Sequence, residues 1–93
     1  MPGHHARIAQ RGVRDWPLPT SRLAFDTFQR GFAESDEAAV DDAFRIAEWV
    51  AVNHGDAVLI IAIDAEVVEI RLLEGSYVGR LAWLKQRQLT PWD

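Results

Sequence analysis

The sequence predicts a single α+β domain, with helices layered on a small antiparallel sheet. Three observations carry this. At 93 residues, 48% of them hydrophobic, the chain can bury one core and is too short for two. Its 26% charged fraction is ordinary for a globular protein and too balanced for a disordered one. Apolar residues follow a helical period before residue 54 and after residue 76, and between 56 and 72 they form a run followed by alternation.

Residues 1–20 read as an irregular arm preceding one domain over 21–93. Pro2, Gly3, Pro17 and Pro19 punctuate this arm, and little periodicity survives between them. Arg7 to Arg14 has room for a short strand or a turn, while Asp15 to Pro19 is extended because each Pro biases its predecessor away from helix. A first helix is expected over 21–33: Thr20 or Ser21 caps it, and Leu23, Ala24, Phe25, Phe28 and Phe32 follow the helical period. A second helix is expected over 36–53, capped by Ser35, with Asp36 and Glu37 at the favourable end of the dipole. Val40, Ala43, Phe44, Ala47, Val50 and Ala51 form its stripe, Ile46 and Trp49 widen it, and Gly55 stops it.

The run Val58 to Ile63, inside 56–64, suits a strand covered on both faces. Val68, Ile70 and Leu72 then alternate with Glu69 and Arg71, which makes a second strand with one wet face. The two form an antiparallel hairpin. Ala65 is poorly suited to a tight primed turn, so a looser loop or a bulge is expected there. Glu74-Gly75 breaks the strand, Ser76 caps, and Tyr77, Val78, Leu81, Leu84 and Leu89 predict a C-terminal helix over about 77–88, before Pro91. A two-stranded hairpin is marginal alone, so the arm or a second copy of the chain must extend it. A homodimer joined at that edge is the expectation.

With no Cys, disulfide scaffolds, thiol nucleophiles, iron-sulfur centres and cysteine zinc sites are excluded. The longest apolar run, Ala57 to Ile63, is far short of the ~18 residues of a membrane span, and no targeting segment is recognised, so a soluble cytoplasmic protein without membrane partners is expected. The net charge of -4 hides a segregation. Residues 1–30 carry five Arg against two Asp, residues 31–75 two Arg against eleven acidic groups, and residues 76–93 three cations against one Asp. An acidic centre disfavours wrapping nucleic acid around the whole body, but basic ends leave a local contact open.

Catalysis finds no constellation. Ser21, Ser35 and Ser76 read as helix caps, no nucleophile elbow or phosphate-cradling loop is present, and His4, His5 and His54 are scattered. The expectation is a non-enzymatic protein without a cofactor. If the initiator Met is lost, Pro2-Gly3-His4 has the spacing of an amino-terminal copper or nickel clamp, although a flexible Gly-His-His arm also binds such metals adventitiously.

Partner contacts are expected first at Trp16 and Leu18 in Trp16-Pro17-Leu18-Pro19, and at Trp92 near the end, since Trp leads binding hot spots and Pro pre-orders its segment. The plainer reading makes these clamps for the termini. Asp36, Glu37, Asp41 and Asp42 on the second helix offer a second face, either for a basic partner or simply for solvent. On the third helix, Arg80, Trp83 and Arg87 would make a basic stripe with an aromatic between, fit for phosphates and a stacked base. The leading expectation is a small acidic interaction module, an adaptor or an inhibitor that occludes a partner's surface. A nucleic-acid-associated regulator is the alternative.

Overall fold

In the computed structural model, which describes residues 3–12 and 14–91, seven strands and two helices follow one another. The order is β1 (His5–Ile8), β2 (Trp16–Pro19), α1 (Arg22–Ala33), α2 (Glu37–Arg45), β3 (Trp49–Val52), β4 (Ala57–Asp64), β5 (Val67–Leu72), β6 (Leu81–Lys85) and β7 (Leu89–Pro91), with a 3-10 turn (Gln86–Gln88) between the last two. The class is α+β, but a five-stranded sheet dominates it. Several sequence-based expectations are overturned.

The arm is not irregular: it supplies β1, which pairs with both β4 and β7, and β2, which pairs with β3. The C-terminal helix does not form, and its place is taken by β6, the 3-10 turn and β7. Gly79 sits at φ 90 and Gly75 at φ 89, conformations no helix contains. Once the chain is extended, Ala82 and Leu84 point into the core opposite Ile70 and Val68. The second helix ends at Arg45, not at 53, because Trp49–Val52 finds an extended partner in β2 and buries Val50 and Val52. Asp36, not Ser35, caps that helix, accepting from the Ala39 N–H at 3.2 Å, and Ser35 takes a left-handed turn position at φ 54. The first helix forms where expected, with Ser21 Oγ accepting from the Ala24 N–H at 3.0 Å.

The hairpin β4–β5 is present with a tighter turn than expected: Asp64 pairs with Val67 across Ala65 and Glu66, and Ala65 carries φ 55. The irregularity lies at Ile61, where the register shifts. Strand order in the large sheet is β6-β5-β4-β1-β7. Its edge strands are thus four spacings apart, about 19 Å in a flat sheet. Yet a 3-10 turn of three residues joins them, and at about 2 Å of rise per residue it covers less than half that distance. The sheet therefore curls into a small barrel, bringing β6 and β7 near each other.

Ala6, Ile8, Val58, Val68, Ile70, Leu72, Ala82 and Leu84 fill this barrel. The β2–β3 ribbon closes it with Leu18, Val50 and Val52, which join the same core. Helix α1 rests against β2 and β6, whereas α2 touches the protein chiefly through α1. The helices thus pair beside the barrel and are not layered over a sheet face. Since β4 lies between β5 and β1, the uncovered edge that pointed to a strand-joined dimer does not exist. No helix among the described residues is long and apolar enough to cross a membrane.

Candidate functional site

Side chains from separate elements converge where α1, β2, β3 and β6 meet. Trp16, Pro17 and Leu18 come from β2, Phe28 from α1, Trp49 from β3 and Trp83 from β6. They line a cavity of about 150 Å³, the size that takes one benzene-like ring. Each wall has its own support. The Trp49 indole N–H donates to the Ala43 carbonyl at 2.9 Å, tying β3 to the end of α2. Phe28 meets Trp49 edge-on at 5.5 Å and Phe44 at 5.8 Å, while Phe44 stacks on Trp49 at 4.3 Å. Pairs of this geometry add about 0.5–1.5 kcal/mol beyond area burial. The Arg22 guanidinium lies 5.5 Å from the Trp83 ring centre. It is held there by Asp26 at 3.1 Å and Asp64 at 3.0 Å, whose hydrogen bonds raise its already high pKa.

The two Pro of β2 shape the neighbouring edge. The Thr20 N–H donates to the Glu48 carbonyl, so N–H groups at 16, 18 and 20 face β3 and the imides of Pro17 and Pro19 lie on the opposite edge of β2, Pro17 exposed and Pro19 buried. An edge without those donors resists pairing with a further strand. What the cavity offers is therefore side-chain burial and ring stacking, with Gln29, Gln88 and the indoles of Trp16 and Trp83 among the lining side chains able to hydrogen-bond. Among the described residues no titratable side chain lines it.

Phe32, stacked on Phe28 at 6.2 Å and 74% exposed, continues the aromatic surface away from the cavity. It separates two open hollows. One, of about 340 Å³, has Lys85, Arg87 and Gln88 along Phe28; the other, of about 570 Å³, has Asp36, Glu37 and Asp41 over Val40.

Of the residues singled out from the sequence, Trp16 and Trp83 line the cavity together. Leu18 also lines it but is 2% exposed and belongs to the core, so it forms wall and not a presented surface. Trp92 lies outside the described residues. Asp36, Glu37 and Asp41 share the acidic hollow, and Asp42, exposed on α2, does not line it. The expected basic stripe on a third helix is dispersed, because that helix is absent. Arg80 precedes β6 and pairs with Glu48 at 2.9 Å, Trp83 lies within β6, and Arg87 lies in the 3-10 turn. The Arg80 guanidinium holds the Glu48 carboxyl below the usual carboxylate range, chiefly through their hydrogen bond.

At the start of the chain, the Gly3 N–H donates to the Ile60 carbonyl at 2.6 Å, and the His4 carbonyl accepts from the Ile60 N–H. A copper clamp needs the Gly3 and His4 amide nitrogens as ligands, so it would compete with this pairing. Pro2 itself lies outside the described residues. Among the described residues no group of three or more His, Asp and Glu is placed to hold a metal ion.

Sequence reasoning missed Phe28, Phe32 and Trp49 as surface-forming residues. The signal was present but ambiguous: Phe25, Phe28 and Phe32 form one stripe, yet Phe25 is 5% exposed and Phe32 is 74%. The far half of α1 overhangs the barrel, and the stripe cannot show where its cover ends. Comparison of the chain with protein-family models, with curated proteins and with solved structures finds no match in any of the three.

Proposed function

We propose that the chain is a small protein-binding module, an adaptor or an occluding inhibitor, that captures one apolar side chain of an extended partner segment. The observation carrying this reading is the convergence of Trp16, Trp49 and Trp83 from three different strands, with Phe28, on a single ring-sized cavity. Trp is the residue type most enriched at binding hot spots, and the energy concentrates where such side chains surround a desolvated pocket. The imide of the exposed Pro17, which has no donor to offer, favours recognition by side chain over addition of a strand.

Panning a random displayed-peptide library against the protein tests this directly. Enriched peptides are expected to share one aromatic or Pro anchor. Their affinity should fall roughly 30-fold, the 2 kcal/mol of a hot-spot truncation, in Trp83→Ala and in Trp16→Ala, with folding checked by circular dichroism. Peptides that bind both variants as well as the parent would place recognition elsewhere.

A second reading, single-stranded nucleic acid, is favoured by Lys85 and Arg87 lining the hollow beside the cavity that holds Trp83. It ranks lower because Arg22 and Arg80 are already paired and the chain carries a net charge of -4. Anisotropy of a labelled oligonucleotide at two salt concentrations separates the two, since phosphate contacts must weaken steeply with salt.

A further inference from the structure

A second apolar surface lies away from the cavity. Phe32 is 74% exposed, Phe44 45% and Ile46 47%, and ring contacts join Phe32 to Phe28 and Phe28 to Phe44. Exposed aromatic rings joined by ring contacts, as Phe32 and Phe44 are through Phe28, mark a candidate interaction site on a small protein. What covers it is indicated by the charge on either side. At 100° per residue along α1, Gln29 and Ala33 turn to one side of Phe32, and Gly31 and the following Ser35 turn to the other. The first side opens on the hollow with Lys85 and Arg87 and, among the described residues, no carboxylate in its lining; the second opens on the hollow with Asp36, Glu37 and Asp41 and, among the described residues, no cation. Among the described residues neither Lys85 nor Arg87 is in an ion pair, although Glu66 lines a further hollow together with both.

From this arrangement we infer that the occupant of the Phe32 face is a second copy of the same chain, docked two-fold. A two-fold axis lying in the interface beside Phe32, perpendicular to the line that joins the two hollows, places Phe32 against Phe32. In that orientation it also exchanges left for right, so each acidic hollow lies over the basic hollow of the other copy. An isologous contact requires such self-complementarity, because whatever one copy presents the other must receive. The face supplies it from residues within one chain: an apolar centre with opposite charges on its flanks. This dimer uses the helical pair with the end of β6 and the 3-10 turn, through side chains and without hydrogen bonds between strands. It stands independently of what fills the tryptophan cavity.

Sedimentation equilibrium from low micromolar to millimolar concentration is the test. The parent protein should rise from the mass of one chain to that of two and stop there. Phe32→Asp should stay monomeric with an unchanged circular dichroism spectrum, since the ring is on the surface. Glu37→Lys with Asp41→Lys in one chain, and Lys85→Glu with Arg87→Glu in another, should each be monomeric alone. Mixed in equal amounts they should restore the dimer, because both flanks are then complementary again. A parent protein that remains monomeric overturns the inference, as does a dimer that survives Phe32→Asp. A mass that grows without limit replaces the two-fold contact by a head-to-tail one. Folded charge variants that fail to combine would show that the flanks do not meet.

Discussion

Gly31 occupies the closest approach of α1 to α2. A Cβ built there would lie 2.9 Å from the Ala39 Cβ and 3.0 Å from the Val40 backbone nitrogen, and backbone cannot yield as a flexible side chain does. Helix propensity alone would make Gly31→Ala stabilising by about 0.5–1 kcal/mol. Overpacking of this kind costs about 1–3 kcal/mol and opposes it. The expected result is net destabilisation of about 1 kcal/mol in urea unfolding, and a variant as stable as the parent would show that the helices separate freely. Glu48 belongs to the same scale. Its folded pKa is lowered by Arg80, so its contribution is present above the unfolded value of about 4.3 and disappears as pH falls through the lowered folded value. Glu48→Gln should therefore melt below the parent at neutral pH and together with it in strong acid. A Tm difference that persists under strong acid would assign the effect to something other than the ion pair.

Elements were legible where only one period fitted. The first helix has a cap and a stripe that no strand reproduces, and the β4–β5 hairpin combines an apolar run with alternation. The two segments misread as helix, 49–52 and 81–85, are short and satisfy both periods. Val50 and Val52, like Ala82 and Leu84, alternate as well as they fit a helical stripe, and the partner strand settles the choice. Gly79 was the overlooked warning, a residue at φ 90 near the start of the presumed helix. The hairpin turn invites a prediction of its own. Ala65 at φ 55 carries the penalty of a left-handed L-residue, about 1–2 kcal/mol, which Gly escapes at a cost of about 0.4–1 kcal/mol in the unfolded chain. Ala65→Gly should raise stability by up to about 1 kcal/mol in thermal melts, and a loss would mean that the turn depends on the Ala methyl.

For the whole molecule, β1 is the strand that completes the barrel, standing between β4 and β7 with Ala6 and Ile8 buried inside. An irregular arm could be removed at little cost. This one cannot: deleting residues 1–9 should abolish cooperative unfolding, and Ile8→Ala should cost about 2–5 kcal/mol. A truncated chain with the parent's melting transition would show that the barrel closes without β1. Curling also explains why the molecule is elongated, 39 × 26 × 22 Å, since helices with no flat sheet face to lie on project beside the barrel. That projection leaves Phe32, Phe44 and Ile46 uncovered.

Local chemistry in the sequence was enough to place α1, the β4–β5 hairpin and the exposed acidic start of α2, because caps, spacing and alternation act over a few residues. It was also enough to single out Trp16, Trp83 and the acidic group. It could not bring Trp16, Trp49 and Trp83 to one cavity, since 33 and 34 positions separate them along the chain. It offered the arm a strand only beside other options and could not place it at His5–Ile8, because a four-residue segment such as His-Ala-Arg-Ile is held by neighbours from the middle and the end of the chain, and such pairing leaves no local pattern. The opposite flanks of Phe32 arise in the same way, from a turn near the C-terminus folding beside a helix near the start.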